Sequence, residues 1–201
     1  MFTPMTEVLQ PGKLGEAEIK HFTVTKDASM WSSFRPGEYC PEGEYAQLFV
    51  NGRLVMSDTH MEKNSNYDVV SQATGHTAIA GLGLGMILIP ILRKPEVTEV
   101  TVIEKSQDVI DLVLPQLEAY LDGEAHSKLT VICADVLEWK PPKGWNADVI
   151  YFDIWPDICE DNLNDMNRLH RRFARRHSGW MGSWMEHSLK ARRRRSRRER
   201  W

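Results

Sequence analysis

Apolar positions recur with two different periods along this chain, and the switches between them mark out its elements. From Ala17 to Thr25, Ile19, Phe22 and Val24 stand among polar residues, which predicts a strand. Tyr45–Val50 and Arg53–Ser57 flank Asn51-Gly52, and two residues that tolerate positive φ between such runs predict a hairpin. Asn64 or Ser65 is placed to cap a helix from Asn66 to about Ala73. Thr77–Ala80 reads as a strand, followed by a glycine turn and a helix from about Leu84 to Arg93. Val100–Glu104 is the next strand. Ser106 caps a helix running to Leu121, with Val109, Ile110, Val113, Leu114 and Leu117 on one face, and Asp122-Gly123 ends it. Leu129–Asp135 and Asp148–Asp153 are near-continuous apolar runs, as strands covered on both faces are. A helix with the stripe Leu163, Met166, Leu169, Phe173 runs from Asp161 to about Arg176, and Ser178-Gly179 breaks it. Trp180, Met181, Trp184 and Met185 read as a short amphipathic turn packed on the core. No later strand pattern follows, so the sheet reads as shortened after its fourth strand.

Strands alternating with helices specify an open parallel α/β sheet, in which a ligand lies outside the carboxyl ends of the strands. Four such ends carry Gly81, Glu104, Asp135 and Asp153. The pattern divides the chain into an N-terminal β-hairpin element (1–63), a ligand-binding α/β domain (64–178) and a basic C-terminal tail (179–201).

The turn Ala80-Gly81-Leu82-Gly83-Leu84-Gly85-Met86 carries the chemistry. Alternate glycines let the backbone turn sharply and approach a ligand, and Glu104, at the end of the next strand, suits the hydroxyls of a ribose. A dinucleotide fingerprint places glycines first, third and sixth; here the sixth place is Met86, which disfavours NAD. The alternative is a plain strand–helix turn with no ligand, which Glu104 disfavours.

Composition narrows the setting. The 201 residues suffice for a buried core. No apolar run is long enough to span a membrane, and the N-terminus lacks the basic and apolar regions of a secretory signal. Cys40, Cys133 and Cys159 have no metal spacing, Cys133 reads as a buried small hydrophobe, and a reducing cytoplasm fits. The net charge of −3 hides an asymmetry: Arg168 to the end holds 13 of the 25 basic residues and only 2 of the 28 acidic ones. An acidic body with an Arg-rich end implies either an anionic partner, nucleic acid included, or a solvated tail that docks on its own body. Arg192–Arg198 reads as disordered alone, with Trp180, Trp184 and Trp201 near enough to stack on bases.

Together, Ala80–Gly85, Val102-Ile103-Glu104-Lys105, Ala134-Asp135-Val136 and Tyr151-Phe152-Asp153 resemble the class I S-adenosylmethionine-dependent methyltransferases, a Rossmann-like fold, over roughly 45–160. Ile79, where most of these enzymes carry an acid, and the hairpin ahead of the fold are similar to the spermidine-synthase-like branch. The resemblance implies that Gly81, Gly83 and Gly85 line the methionine and ribose of S-adenosylmethionine or its decarboxylated form. It implies ribose contacts for Glu104, adenine contacts for Asp135 and the Val136 backbone, and a transfer-site role for Asp153. Asp153-Ile154-Trp155-Pro156-Asp157 departs from the Asp-Ser-x-Asp-Pro pattern of spermidine synthases by displacing the second acid one position.

The expected activity is methyl transfer to a small-molecule or amine acceptor, with Asp153 catalytic, Trp155 stacking on the acceptor, and Asp157 and Asp58 on the substrate side, Asp58 adding charge with Glu62. Trp155 as a loop anchor stands beside that reading. The alternatives are polyamine-type aminopropyl transfer and a catalytically silent nucleoside-binding module whose tail binds nucleic acid. No metal is expected. The hairpin edges offer pairing in a homodimer.

Overall fold

The computed structural model describes residues 2–33 and 39–198, without the side chain of residue 197; Trp201 lies outside the described residues. The N-terminal part is an antiparallel sheet of four strands, β1 (Gly12–Leu14), β2 (Ala17–Val24), β3 (Gly43–Val50) and β4 (Arg53–Ser57), in sequential order, with helix α1 (Lys26–Ser33) between β2 and β3. Asn51 and Gly52 turn β3 into β4 with φ of 53° and 72°, the two positive values that a type I′ turn requires. Two short helices follow, α2 (His60–Ser65) and α3 (Tyr67–Gln72).

The rest is a five-stranded sheet of order β7-β6-β5-β8-β9 with every pairing parallel: β5 (Gly75–Ala80), β6 (Val97–Glu104), β7 (Leu129–Cys133), β8 (Ala147–Phe152) and β9 (His177–Ser183). Between them run α4 (Leu88–Leu92), α5 (Gln107–Tyr120), α6 (Gly123–Ser127) and α7 (Asn162–Phe173), and α8 (Glu186–Arg198) closes the described chain. This is the expected Rossmann-like arrangement. The chain runs outward from β5 through β6 to β7, then returns to place β8 on the other side of β5. The carboxyl ends of β5 and β8 therefore flank the point where the strand order reverses, the crevice that binds ligands in such sheets.

Four expectations are corrected. The sheet does not stop at four strands, because His177–Ser183 pairs along β8 and takes up Ser178, Gly179, Trp180 and Met181. Arg192–Arg198, expected to be disordered, continues α8, whose Leu189 is buried in the apolar cluster of α7. The helix after the glycine turn starts only at Leu88, since Gly83 and Gly85 both hold positive φ and cannot be helical. Cys133 is exposed, because β7 is an edge strand and Cys133 is its last residue. The Ser106 cap stands as expected, its hydroxyl accepting from the Val109 N–H at 3.3 Å, and Asp122 caps α6 rather than simply ending α5.

The core lies on both faces of the parallel sheet. Ile79, Leu84, Met86, Ile89 and Leu117 fill one side, and Phe152, Leu163, Met166, Leu169 and Phe173 the other. The N-terminal sheet packs on α5, where the Asp108 carboxylate accepts from the Glu16 N–H at 2.8 Å and the Gln116 side chain from the Gln10 N–H at 2.7 Å.

Candidate active site at the carboxyl ends of β5, β6 and β8

The centre of the site is a backbone contact between the two strands that flank the reversal. The Asp153 N–H donates to the Ala80 carbonyl at 2.8 Å, and the Gly81 N–H to the Ile103 carbonyl at 2.9 Å. At Gly81 (φ 102°) a Cβ would overlap the Asp153 carbonyl oxygen, so the glycine is required both by conformation and by the approach of backbone to backbone. The other two glycines serve different neighbours. A Cβ on Gly83 would overlap the Met56 sulfur, and one on Gly85 the Leu117 side chain. The structure therefore turns these two α-carbons toward the β4 strand and α5. Met56 also takes a weak bond from the Leu84 N–H, with 3.4 Å between nitrogen and sulfur, so β4 arches over the glycine loop.

Glu104 ends β6 and is nine-tenths buried. Its two oxygens accept from the Leu82 and Ser106 N–H groups, each at 2.8 Å. It thereby holds the glycine loop against the start of α5 while each oxygen keeps a lone pair. Asp135, past β7, is exposed, and its carboxylate accepts from the Leu137 N–H at 2.8 Å. Val136 is buried, and its carbonyl, like that of Leu137, is held by the Arg172 guanidinium.

Asp153 is half-buried at the end of β8. Burial, and then the charge of Glu62, push its pKa up to about 8. Glu62 on α2 is itself raised to about 7 by burial. Tyr151 beside them is held far above its ordinary value by burial and then by the charges of Asp153, Glu62 and Asp68, and its hydroxyl donates to Asn66 Oδ1 at 2.9 Å. A half-buried carboxyl pair with raised pKa values is an arrangement suited to taking up protons and to facing a cation.

The three residues expected on the substrate side are placed differently. Asp58 is fully buried: its oxygens accept from the Met5 N–H (2.8 Å) and the Ala46 N–H (2.7 Å), with the Lys63 ammonium 3.4 Å away. It fastens the N-terminal segment to β3 and does not open onto the crevice. Trp155 is 9% exposed within the apolar cluster of β8 and α7, which is the loop-anchor arrangement; its indole N–H has no partner among the described residues. Asp157 is exposed and paired with Arg53 of β4, tying the loop after β8 to the hairpin.

Sequence reasoning set Glu62 beside Asp58 as added charge on the substrate side, without placing it next to Asp153, and passed over Met56. Neither carries a local signal, since each is brought to the crevice by the way the hairpin and α2 fold back over β5.

No family profile and no curated protein matches the chain. Among solved structures it is similar to the glycopeptide N-methyltransferase MtfA complexed with S-adenosyl-L-methionine (14% identity over 58% of this chain and 45% of that one, TM-score 0.44). It is similar too to coclaurine N-methyltransferase bound to N-methylheliamine and S-adenosylhomocysteine (14%, 61% and 33%, TM-score 0.46) and to the methyltransferase domain of bacterial CtHen1 (12%, 53% and 55%, TM-score 0.41). The chain spans about half the length of the first of these structures. At such identities and TM-scores the fold assignment rests on the strand order β7-β6-β5-β8-β9 alone.

Proposed function

We propose that this protein is an S-adenosylmethionine-dependent transferase of the spermidine-synthase-like branch that moves a methyl group to an amine acceptor. The observation that carries the reading is the set at the reversal point: the Gly81 turn closed on Asp153, Glu104 bonded to the loop, and Asp153 raised to about 8 beside Glu62. The donor chemistry fits the cofactor. Glu104 offers carboxylate lone pairs to a ribose diol, and Asp135 and the Val136 backbone stand at the next strand end for an adenine edge. Gly81 leaves the main chain bare where the sulfonium side of the molecule would lie, while Gly83 and Gly85 shape the loop beneath Met56 and against Leu117.

Bound S-adenosylmethionine supplies an electrophilic methyl on a good leaving group, so positioning does most of the work. Glu104 fixes the loop and the ribose together. Asp153, with a proton affinity about four decades above an ordinary aspartate's, takes the proton of the acceptor nitrogen. Glu62, itself raised to about 7, is a second carboxyl that favours a cationic acceptor once it ionises. Asp157, drawn to Arg53, holds the loop closed against the hairpin.

Aminopropyl transfer from decarboxylated S-adenosylmethionine is the second reading. It is favoured by the paired carboxyls and by the antiparallel sheet ahead of the fold. Titration calorimetry with S-adenosylmethionine, its decarboxylated form and S-adenosylhomocysteine tests both. Binding of the carboxylated forms supports methyl transfer, binding of the decarboxylated form alone supports the second reading, and binding of none refutes both.

A further inference from the structure

The basic end of the chain is a docked helix with a cleft beside it, remote in role from the strand-end site. Lys190, Arg193 and Arg194 of α8 line an open cleft of about 320 Å³ together with Leu163 and Asn167 of α7. The helix is anchored. Leu189 is 1% exposed and shares an apolar cluster with Leu163, Met166 and Leu169. His170 on α7 reaches back to the Ser183 hydroxyl at the end of β9, with 2.9 Å between Nε2 and Oγ. Glu186 takes up the charge of Lys190 at 2.5 Å, whereas Arg193 and Arg194 form no ion pair among the described residues. Arg168, Arg171 and Arg175 stand exposed nearby, on and just after α7.

Helix formation changes what the arginine run can do. In a coil the charges point everywhere; on α8 the helical period sorts them, with Lys190, Arg193 and Arg194 toward the cleft and Arg192 and Arg195 away from it. The basic part of α8, the nine residues from Lys190 to Arg198, gives at about 1.5 Å each a charged rod of about 13 Å, which matches adjacent phosphates along a strand rather than one small anion. A lipid surface fits poorly. Leu189, the one large apolar side chain on α8, is already buried in the core, so the helix has no apolar face left to insert. Among the described residues, the two tryptophans expected to stack on bases are already engaged: Trp184 is buried, and Trp180 lies stacked on Tyr151 with ring centroids 6.0 Å apart.

We propose that the α7–α8 cleft is a binding surface for the phosphate backbone of nucleic acid, with Arg193 and Arg194 meeting phosphates and Asn167 adding a neutral donor. Backbone contacts without stacking give binding that is salt-dependent and indifferent to sequence.

The test uses the full chain and fluorescein-labelled single-stranded and duplex oligonucleotides, read by anisotropy across a series of salt concentrations from about 50 mM upward. The expected result is binding that weakens steeply with salt. The double variant Arg193→Gln/Arg194→Gln weakens it about tenfold or more and lowers the salt slope by about 1 to 2. Arg193→Lys/Arg194→Lys keeps the slope. Arg192→Gln/Arg195→Gln removes the same charge from the other side of the helix and leaves affinity within about threefold. Equal losses in the two glutamine pairs, no binding at the lowest salt, or tighter capture by phosphatidylserine vesicles than by nucleic acid would each overturn the proposal. Circular-dichroism melts establish that all variants are folded.

Discussion

Replacing Glu104 by Gln keeps the shape of the site and removes its charge, so the consequences separate cleanly. In the native protein each carboxylate oxygen accepts one N–H at 2.8 Å, from Leu82 and from Ser106, in a side chain only 9% exposed. A glutamine can satisfy one of these donors with its carbonyl oxygen; its NH₂ then faces the other donor. One buried donor left without an acceptor costs about 1–3 kcal/mol, which for a domain of this size lowers the melting temperature by about 2–12 °C. The ligand side adds a separate loss. Hydrogen bonds from ribose hydroxyls to a charged acceptor contribute about 1.5–3 kcal/mol, so the dissociation constant for S-adenosylhomocysteine rises about 10- to 100-fold. The assay is calorimetry with S-adenosylhomocysteine on the wild type and on Glu104→Gln, run below the variant's melting onset as found by scanning calorimetry. A variant that melts lower yet binds within about threefold of the wild type refutes the ribose role and leaves Glu104 as a loop clamp alone.

Other expectations follow from the same geometry. Asp153 is raised to about 8 in the folded protein, so the native state binds more protons than the unfolded one between the ordinary aspartate pKa and about 8. Stability contributed by this group therefore falls as pH rises through that window, and Asp153→Asn flattens the fall in thermal melts taken from pH 5 to 9. Transfer activity rises with pH to a midpoint near 8 in the wild type and loses that limb in Asp153→Asn; an unchanged pH–rate profile counts against a proton-accepting role. Gly81→Ala puts a Cβ into the Asp153 carbonyl at φ 102° and is expected to cost about 2–5 kcal/mol in denaturant unfolding, with a change below about 1 kcal/mol contradicting the close approach. Asp58→Ala leaves the Met5 and Ala46 N–H groups and the Lys63 ammonium without their acceptor, and is expected to destabilise by about 3–5 kcal/mol; a neutral result in the same assay refutes its role as the fastening of the N-terminal segment.

What could be read from the sequence was what is written locally. Asn51-Gly52 names its own turn because few other residues accept two positive φ values in succession, and the apolar runs ending in Ala80, Glu104 and Asp153 name buried parallel strands by composition. The glycine loop and the acid after the next strand are therefore assigned to strand ends by local sequence alone. β9 could not. Its residues, His-Ser-Gly-Trp-Met-Gly-Ser, have neither β-branched side chains nor alternation, and they are extended because β8 presents an unpaired edge to them. The arginine run is helical for a similar reason: Leu189 finds an apolar seat on α7, and that contact offsets a repulsion which local reading takes as decisive.

The site divides along the same line. Sequence alone determined which chemistry the chain can offer, a glycine turn with carboxylates at successive strand ends, because spacing along a strand–turn–helix unit fixes where those groups emerge. Only the tertiary structure decided which groups share an environment. It turned Asp58 inward as a fastening, buried Trp155 under α7, gave Asp157 to Arg53, and brought Glu62 to Asp153. Burial and proximity between distant segments depend on how the hairpin and α2 cover the sheet, and they set the proton affinity of Asp153 that no position in the sequence records.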